Sequence, residues 1–397
     1  AWGLNSNGQL GLTTDTIARS NPLQVGLLSW SFVAAGGTNS AGIRTDGTIF
    51  AWGNNAVAQL GDNTTVNKSS PVLVTGGLAA SATVPGSWTQ VRANVDGHIS
   101  AIKSDSTLWG WGLNNAGQLG IGTDTLARSS PVQVSGAGSW AAVSAGSSFT
   151  TAIKTDGTIF AWGLGTSILV DGTTVARSSP TLVQGTTFHT AVTSPTYIFA
   201  GQSYTTVAAG QSYSLAIRTD STMWGWGLNN LGQLGDNSSI TKSTPVQVNT
   251  GLVASWSQVK AANSTAFAIA TTNLLYGWGQ QAVGQLNIGG TGTDTLARSA
   301  PVAIGTSTWS RVGAWASSIV AIRSDGALFA WGLNSSGQTG DLSAVTKSSP
   351  VLVRSLQLAT SPTIIVTGSS WTQVSAGTSF STAIKLDGTL FTWGLNN

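Results

Sequence analysis

Short apolar runs separated by turns rich in Gly, Ser and Asp follow one another along the whole chain, in a pattern that recurs seven times. One complete unit has a Pro-led segment at Pro131–Val134, an aromatic-led segment at Trp140–Val143, an alternating run at Phe149–Lys154 and a fourth run at Thr158–Trp162. Short runs with period two are typical of half-buried strands, and none has the length or 3.6-residue period of an amphipathic helix. Each unit therefore predicts four β-strands.

A Trp-Gly pair closes the fourth run and sets the period. The eight pairs begin at Trp2, Trp52, Trp111, Trp162, Trp226, Trp278, Trp331 and Trp393. They divide the 397 residues into seven units of about 56 residues, at about 8–53, 58–112, 117–163, 164–227, 232–279, 284–332 and 337–394. Residues 1–5 duplicate residues 392–396, which predicts a spare strand that belongs to a preceding or neighbouring unit.

Four strands in each of seven units predict an all-β fold, a seven-bladed β-propeller of four-stranded blades that forms one repeat domain over residues 1–397. A stacked β-solenoid is the competing architecture, although its repeats are usually shorter. Three units are longer because they carry insertions between their first and second strands, at 79–86, 186–204 and 355–370. Asp-Gly pairs such as Asp46-Gly47 join the third and fourth strands and predict type I′ hairpins.

The composition excludes several classes of protein. Only 8% of the residues are charged, the 14 acids are all Asp, and Cys is absent, so no disulfide framework or thiolate metal site exists. No run of 18 or more apolar residues occurs, so we expect no membrane insertion. The net charge is +3 and Lys and Arg are never adjacent, so we expect no nucleic-acid partner.

Most charges recur with the repeat, which indicates that they serve the repeat. A base precedes each Ser-x-Pro or equivalent segment, with an Asp four or six residues earlier, as in Asp62 and Lys68. Six further pairs flank the hairpins two residues apart, as in Arg44 and Asp46. We predict local ion pairs that order loops, rather than a basic ring that follows an anionic polymer, because the nearby acids cancel the field at long range.

A few residues break the pattern and are the candidate contact residues of the chain. Arg92 and Lys260 replace small residues directly after the Val of the second strand. Trp315 lies outside the Trp pattern, as either an exposed binding residue or extra core filling. His189 lies within the longest insertion.

The sequence predicts no catalytic, cofactor-binding or metal-binding residue. Only His98 and His189 titrate near neutral pH without a perturbed pKa, and His98 occupies a recurrent strand position that indicates a structural role. Neither a metalloprotease, a nucleophile-elbow nor a phosphate-loop motif is present. We therefore expect a protein that is not an enzyme.

The repeating motifs resemble the regulator of chromosome condensation repeat family. WGLNNxGQLG stands at Trp111–Gly120 and Trp226–Gly235, and each unit adds a Ser-x-Pro or similar strand and a variant of AIxxDGxxxxWG. The resemblance covers essentially the whole chain and implies a seven-bladed propeller of a bacterial-type member. Unit four departs from it at Leu164–Leu169, and Asn287 replaces the final Gly of unit six.

The expected function is a non-catalytic extracellular or cell-surface scaffold or binding module, either alone or as a building block of a fibre that self-associates through its terminal strands. The family also includes a nuclear exchange factor for a small GTPase that binds nucleosomes, so a GTPase or chromatin regulator is one alternative. A glycan-binding propeller is the other. The partner is therefore a protein or a glycan that the sequence does not identify.

Overall fold

A computed structural model describes most of the repeat. It covers residues 6–12, 23–75, 87–94, 96–122, 124–136, 138–165, 175–183, 203–249, 251, 255–286, 296–315, 317–353, 371–377 and 380–394. All regular elements in these ranges are strands. These ranges therefore contain no helix that is long and apolar enough to cross a membrane. The predicted all-β fold is confirmed.

The strands fall into seven groups along the chain. The first thirteen are β1 (Leu23–Ala35), β2 (Asn39–Arg44), β3 (Ile49–Gly53), β4 (Lys68–Leu73), β5 (Trp88–Ala93), β6 (His98–Lys103), β7 (Leu108–Gly112), β8 (Arg128–Gln133), β9 (Trp140–Ala145), β10 (Phe149–Lys154), β11 (Ile159–Gly163), β12 (Arg177–Leu182) and β13 (Tyr204–Ala209). The others are β14 (Tyr213–Arg218), β15 (Met223–Gly227), β16 (Lys242–Gln247), β17 (Trp256–Ala261), β18 (Thr265–Ala270), β19 (Leu274–Gly279), β20 (Arg298–Trp315), β21 (Ser318–Arg323), β22 (Leu328–Gly332), β23 (Lys347–Leu352), β24 (Trp371–Ala376), β25 (Phe380–Lys385) and β26 (Thr389–Gly394).

Each blade is offset by one strand from the sequence unit. In the second blade the antiparallel order is β5, β6, β7 and β8, so the aromatic-led strand is innermost and the Pro-led strand of the following unit is outermost. Pro131 therefore lies on an edge strand, where its missing N–H breaks no ladder. The offset ties consecutive units together, because every blade takes its outer strand from the next repeat.

The ring closes through the first described strand. The start of β1 pairs with β26, with Leu23 opposite Thr392, and the end of β1 pairs with β2 as the innermost strand of the first blade. The long strand β20 connects the fifth and sixth blades in the same way. Seven blades result, and the closed pairing of the first and last units excludes the solenoid. Residues 1–5 lie outside the described residues, and the spare strand stays a prediction.

The blades give the disc two different faces. The loop face carries the connections between the first and second strands of each blade and those between the third and fourth strands, such as the one between β7 and β8. The hairpin face carries the turns between the second and third strands, and the connections between blades. The insertions lie almost entirely outside the described residues, at the connections between blades.

The hairpin turns differ from the predicted type I′. Gly47 has a φ of 82°, its N–H donates to the carbonyl oxygen of Arg44 at 2.9 Å, and Asp46 is not among the residues with positive φ. A type I turn followed by one left-handed residue in a bulge has this pattern, whereas type I′ needs two residues with positive φ. The Asp46 carboxylate accepts the N–H of Thr48 at 2.9 Å, which favours the observed turn.

The recurrent charges hold loops and turns, as predicted. Lys68 pairs with Asp62 at 3.4 Å, Lys347 pairs with Asp341 at 2.9 Å, and Arg128 pairs with Asp124. Beside the hairpins the bases also lie over aromatic rings, a contact that the sequence analysis missed. The Lys385 ammonium lies 4.7 Å from the ring centre of Phe391.

Indole hydrogen bonds join neighbouring blades. The buried Trp111 donates its Nε1–H to the carbonyl oxygen of Gln59, in the loop between the third and fourth strands of the preceding blade, at 3.1 Å. Trp162, Trp278 and Trp331 make the same bond at 2.9–3.0 Å. Gly61 must remain glycine, because its φ is 67° and a Cβ would lie 2.8 Å from the Trp111 nitrogen.

Removing one indole bond should weaken the ring. We expect Trp111→Phe to lower the free energy of unfolding by roughly 2–4 kcal/mol, because a buried carbonyl loses its donor and the smaller ring leaves a void. The matched control is Trp109→Phe, since Trp109 is partly exposed and its Nε1–H donates to the hydroxyl of Thr107 in the same blade. Denaturant unfolding of both variants checks this, and equal losses would contradict the role of the indole bond.

Candidate functional site

The innermost strand of each blade lines the central channel. These strands share one register, and their fifth position faces the channel next to the loop face; we call these residues the fifth-position ring. The ring consists of Ala34, Arg92, Ser144, Ala208, Lys260, Gly313 and Ser375. Six of its members, all except Ala34, line a cavity of about 90 Å³. We call this end of the channel the channel mouth.

Two of the four candidate contact residues are therefore brought together by ring closure. Arg92 and Lys260 stand on the second and fifth blades, 168 residues apart in sequence, yet both line the same cavity. The other members of the ring are Ala, Gly or Ser. The sevenfold pattern is thus broken by two cations at one place.

The Arg92 guanidinium lies against the wall of the channel. Its Nη1 donates to the carbonyl oxygen of Val91 at 2.9 Å, and its Cζ lies 4.9 Å from the ring centre of Phe32 on the first blade. Burial lowers the pKa of Arg92 to about 10. The group remains a cation at neutral pH, and no carboxylate in the described part of the chain pairs with it.

The positive charges of Arg92 and Arg311 act on Lys260. Burial, and then the positive charges of Arg92 and Arg311, lower the pKa of Lys260 to about 7. No acid occurs among the residues that line the cavity. Asp96, in the loop that follows Arg92, has a pKa raised by burial and accepts a hydrogen bond from Ser148 at 3.4 Å, so it is not the counterion of Arg92.

The third candidate contact residue, Trp315, lies directly after the sixth inner strand position, where most units have Gly. It is partly buried, packs against a core cluster that contains Val320 and Ala376, and lines the same cavity. Trp315 thus combines the two predicted roles, because one part of the ring fills space between blades and another part borders the channel mouth. The fourth candidate, His189, lies outside the described residues.

Two hydroxyl groups complete the polar lining of the channel mouth. Ser144 Oγ accepts the N–H of Ala209 at 2.9 Å, and Ser375 Oγ accepts the N–H of Ala35 at 3.1 Å. A hydroxyl that accepts one bond still carries its own proton to donate. The channel mouth therefore offers cationic and hydroxyl donors.

A second feature surrounds the mouth on the loop face, and the sequence analysis did not single it out. In six loops between third and fourth strands, one large aliphatic residue stands two positions before the recurrent base, and 57–70% of its surface is exposed. We call this set the aliphatic ring; its described members are Val66, Leu126, Val175, Ile240, Leu296 and Val345.

The loops hold the aliphatic ring from behind. The Asn55 side chain donates to the carbonyl oxygen of Val66 at 3.2 Å, and Asn334 does the same for Val345 at 3.0 Å. In the loop where the recurrent base is Arg128, the arginine itself makes this bond, and its Nη1 donates to the carbonyl oxygen of Leu126 at 3.2 Å. In these loops a side chain from within the loop holds the backbone, and the apolar side chain faces solvent.

His98 is structural, as predicted. Its ring is fully buried between Asn94 Nδ2 at 2.6 Å and Thr150 Oγ1 at 3.0 Å, the latter on the next blade. Burial lowers the pKa of His98 to about 3, so the imidazole stays neutral at physiological pH. Among the described residues, no cluster of three or more His or Asp side chains is arranged as a metal site requires.

Comparison with known proteins places this architecture in a family. The model of the RCC1-like domain matches residues 1–370, and that of the regulator of chromosome condensation (RCC1) repeat matches residues 371–397. The chain belongs to the RCC1-like family.

The curated relatives of this RCC1-like chain differ widely in length. The ultraviolet-B receptor UVR8 of Arabidopsis thaliana is 24% identical over 364 residues, which are 91% of this chain and 76% of the receptor. The E3 ubiquitin-protein ligase HERC2 of Homo sapiens is also 24% identical over 371 residues, but these are 90% of this chain and only 7% of the ligase.

Solved structures confirm the RCC1-like fold. Human WBSCR16 superposes with a TM-score of 0.78 at 19% identity, over 100% of this chain and 98% of that one. Prp20p of Saccharomyces cerevisiae, which was characterised for binding to Gsp1p and histones, has a TM-score of 0.78 at 18% identity, over 100% of this chain and 91% of that one.

The pKa of Lys260 predicts how stability depends on pH. Because the folded state holds this proton less tightly than the unfolded state does, the charged lysine destabilises the fold below about pH 7, and the penalty fades as the pH rises toward the unfolded value near 10.4. We expect Lys260→Met to stabilise the protein at pH 6, with a gain that shrinks between pH 7 and pH 9.

Thermal unfolding in Bis-Tris and Tris chloride buffers measures this gain without adding an oxyanion. Lys385→Met is the matched control, because Lys385 is a recurrent lysine of the hairpin face and lies outside the channel. A stabilisation by Lys260→Met that does not change with pH would contradict the lowered pKa.

Proposed function

We propose that this chain is a non-catalytic protein-binding module whose partner docks on the loop face. The observation that carries the proposal is the asymmetry between the two faces. Of the eleven exposed large hydrophobic residues among those described, eight lie in the loops between third and fourth strands, which belong to the loop face. The same face holds Arg92, Lys260 and Trp315, the residues that break the repeat.

The backbone at most of the exposed apolar residues of the loop face is held in place by side-chain hydrogen bonds. Asn or Arg side chains anchor five of the carbonyl oxygens, so a partner meets positions that are already fixed and less conformational entropy is lost on binding. The anchored residues are Val66, Leu126, Ile240, Leu296 and Val345. Apolar side chains around a central aromatic and two cations resemble the composition of protein interfaces, which are enriched in aromatic residues and Arg. A protein partner fits this surface better than a glycan.

The family supports a protein partner in general terms. Prp20p is described with Gsp1p and histones, and yeast RCC1 (Prp20) with Kap60. At 17–18% identity these likenesses show the fold alone, so none of those partners is transferred to this chain. The extracellular location and the fibre remain predictions that belong to the same proposal.

The test compares variants of the two faces. The triple variant Leu126→Ser, Ile240→Ser and Leu296→Ser removes half of the described aliphatic ring. The control, Leu27→Ser with Leu386→Ser, removes exposed apolar residues of the hairpin face. Both variants should unfold within about 1 kcal/mol of the original, since the substituted side chains are exposed.

A partner is first isolated with the unchanged chain as bait and then purified, and its dissociation constant is measured by calorimetry for each variant. We expect the loop-face variant to weaken binding at least tenfold and the hairpin-face variant to change it less than twofold. The reverse order would contradict the proposal. Acceleration of nucleotide release from a small GTPase would contradict its non-catalytic part.

A further inference from the structure

The channel mouth contains positive charge that no acid of its lining balances. Arg92 and Lys260 share one cavity, and Arg311 on the sixth blade adds a third positive charge that acts on Lys260. Both cations are partly buried, and a charge that is withdrawn from water without a counterion is unfavourable. The protein nevertheless brings two of them together at a position where five other units have Ala, Gly or Ser.

We propose that the channel mouth is a binding site for one oxyanion group, a carboxylate or a sulfate- or phosphate-like group, held by Arg92 and Lys260. This site is distinct from the aliphatic ring, and it stands whether or not a protein docks there.

Unused hydrogen-bond donors support the site. A guanidinium has five N–H donors, and toward the residues that the structure describes Arg92 uses Nη1 alone, to the carbonyl oxygen of Val91. The Lys260 ammonium has three donors, and the Ser144 and Ser375 hydroxyls at the same cavity each keep a proton. Cationic donors to an oxyanion form the stronger, charge-assisted class of hydrogen bond.

The cavity has room for a small ligand. About 90 Å³ exceeds the roughly 10–15 Å³ that one water molecule needs, so one small oxyanion fits. Arg92 and Lys260 line the same cavity, and the charge of Arg92 acts on Lys260, so one ion in the cavity lies near both. The anion is either a free molecule or the carboxylate of an acidic segment, and the experiment separates these sources.

The experiment follows the titration of Lys260 itself. Protein labelled with ¹³C-lysine is titrated from pH 5 to pH 9 by NMR, in Bis-Tris and Tris chloride buffers at constant ionic strength. The Lys260 signal is assigned by its loss in Lys260→Met. Sulfate is the free oxyanion probe, since it carries its full charge throughout this range. The blocked peptide acetyl-Asp-Asp-Asp-amide is the probe for an acidic segment.

A bound anion favours the protonated lysine, so the midpoint of the Lys260 titration should rise. At ten times the dissociation constant the rise is about one pH unit. Arg92→Gln should reduce the affinity at least tenfold, whereas Lys385→Gln, which removes a lysine of the hairpin face, should leave it unchanged. Both substitutions remove a charge without inserting bulk, and circular dichroism checks that each variant folds.

The outcomes decide the proposal and its source. A saturable rise with sulfate supports a free oxyanion, and a rise at lower concentration with the peptide supports an acidic segment. The proposal is overturned if the midpoint moves with neither probe, if chloride at the same ionic strength moves it equally, or if Arg92→Gln leaves the affinity unchanged. Loss of partner binding in loop-face variants is a separate readout, so failure of one proposal does not hide the other.

Discussion

The structure depends on contacts that each blade makes with its neighbours. Four tryptophans of the Trp-Gly motif donate their indole N–H to a loop carbonyl oxygen of the preceding blade, and each blade takes its outer strand from the following unit. These two kinds of contact hold neighbouring blades together. Because this framework repeats, any residue that departs from it stands out as one that the framework does not need.

Those departures meet at the channel mouth. Arg92 and Lys260 are unremarkable within their own strands, but closure of the ring places both beside one cavity with Trp315 at its edge. Around this centre the aliphatic ring repeats with the blades, anchored from behind by Asn and Arg side chains. The loop face thus combines the repeated aliphatic ring with a pair of cations at its centre. On the hairpin face, by contrast, the charged side chains form ion pairs at the turns and lie over aromatic rings.

Much of this could be predicted from the sequence, because the repeat multiplies each local signal. The seven four-stranded blades, the local ion pairs and the structural role of His98 follow from spacing alone. The type I′ turn was wrong, because the Asp46 carboxylate stabilises a different turn that needs only one residue with positive φ. The shared cavity of Arg92 and Lys260 could not be predicted, since it depends on how the blades close. The exposure of the aliphatic ring depends on side-chain anchors that a strand pattern does not reveal.

The central claim is that the channel mouth has a function that the repeat itself does not require. The most direct test is a crystal structure of the protein grown with selenate in place of other oxyanions, with anomalous scattering used to locate selenium. We expect one selenium peak in the channel, with selenate oxygens within hydrogen-bond distance of Arg92 and Lys260. An empty channel in crystals that bind selenate elsewhere would contradict it.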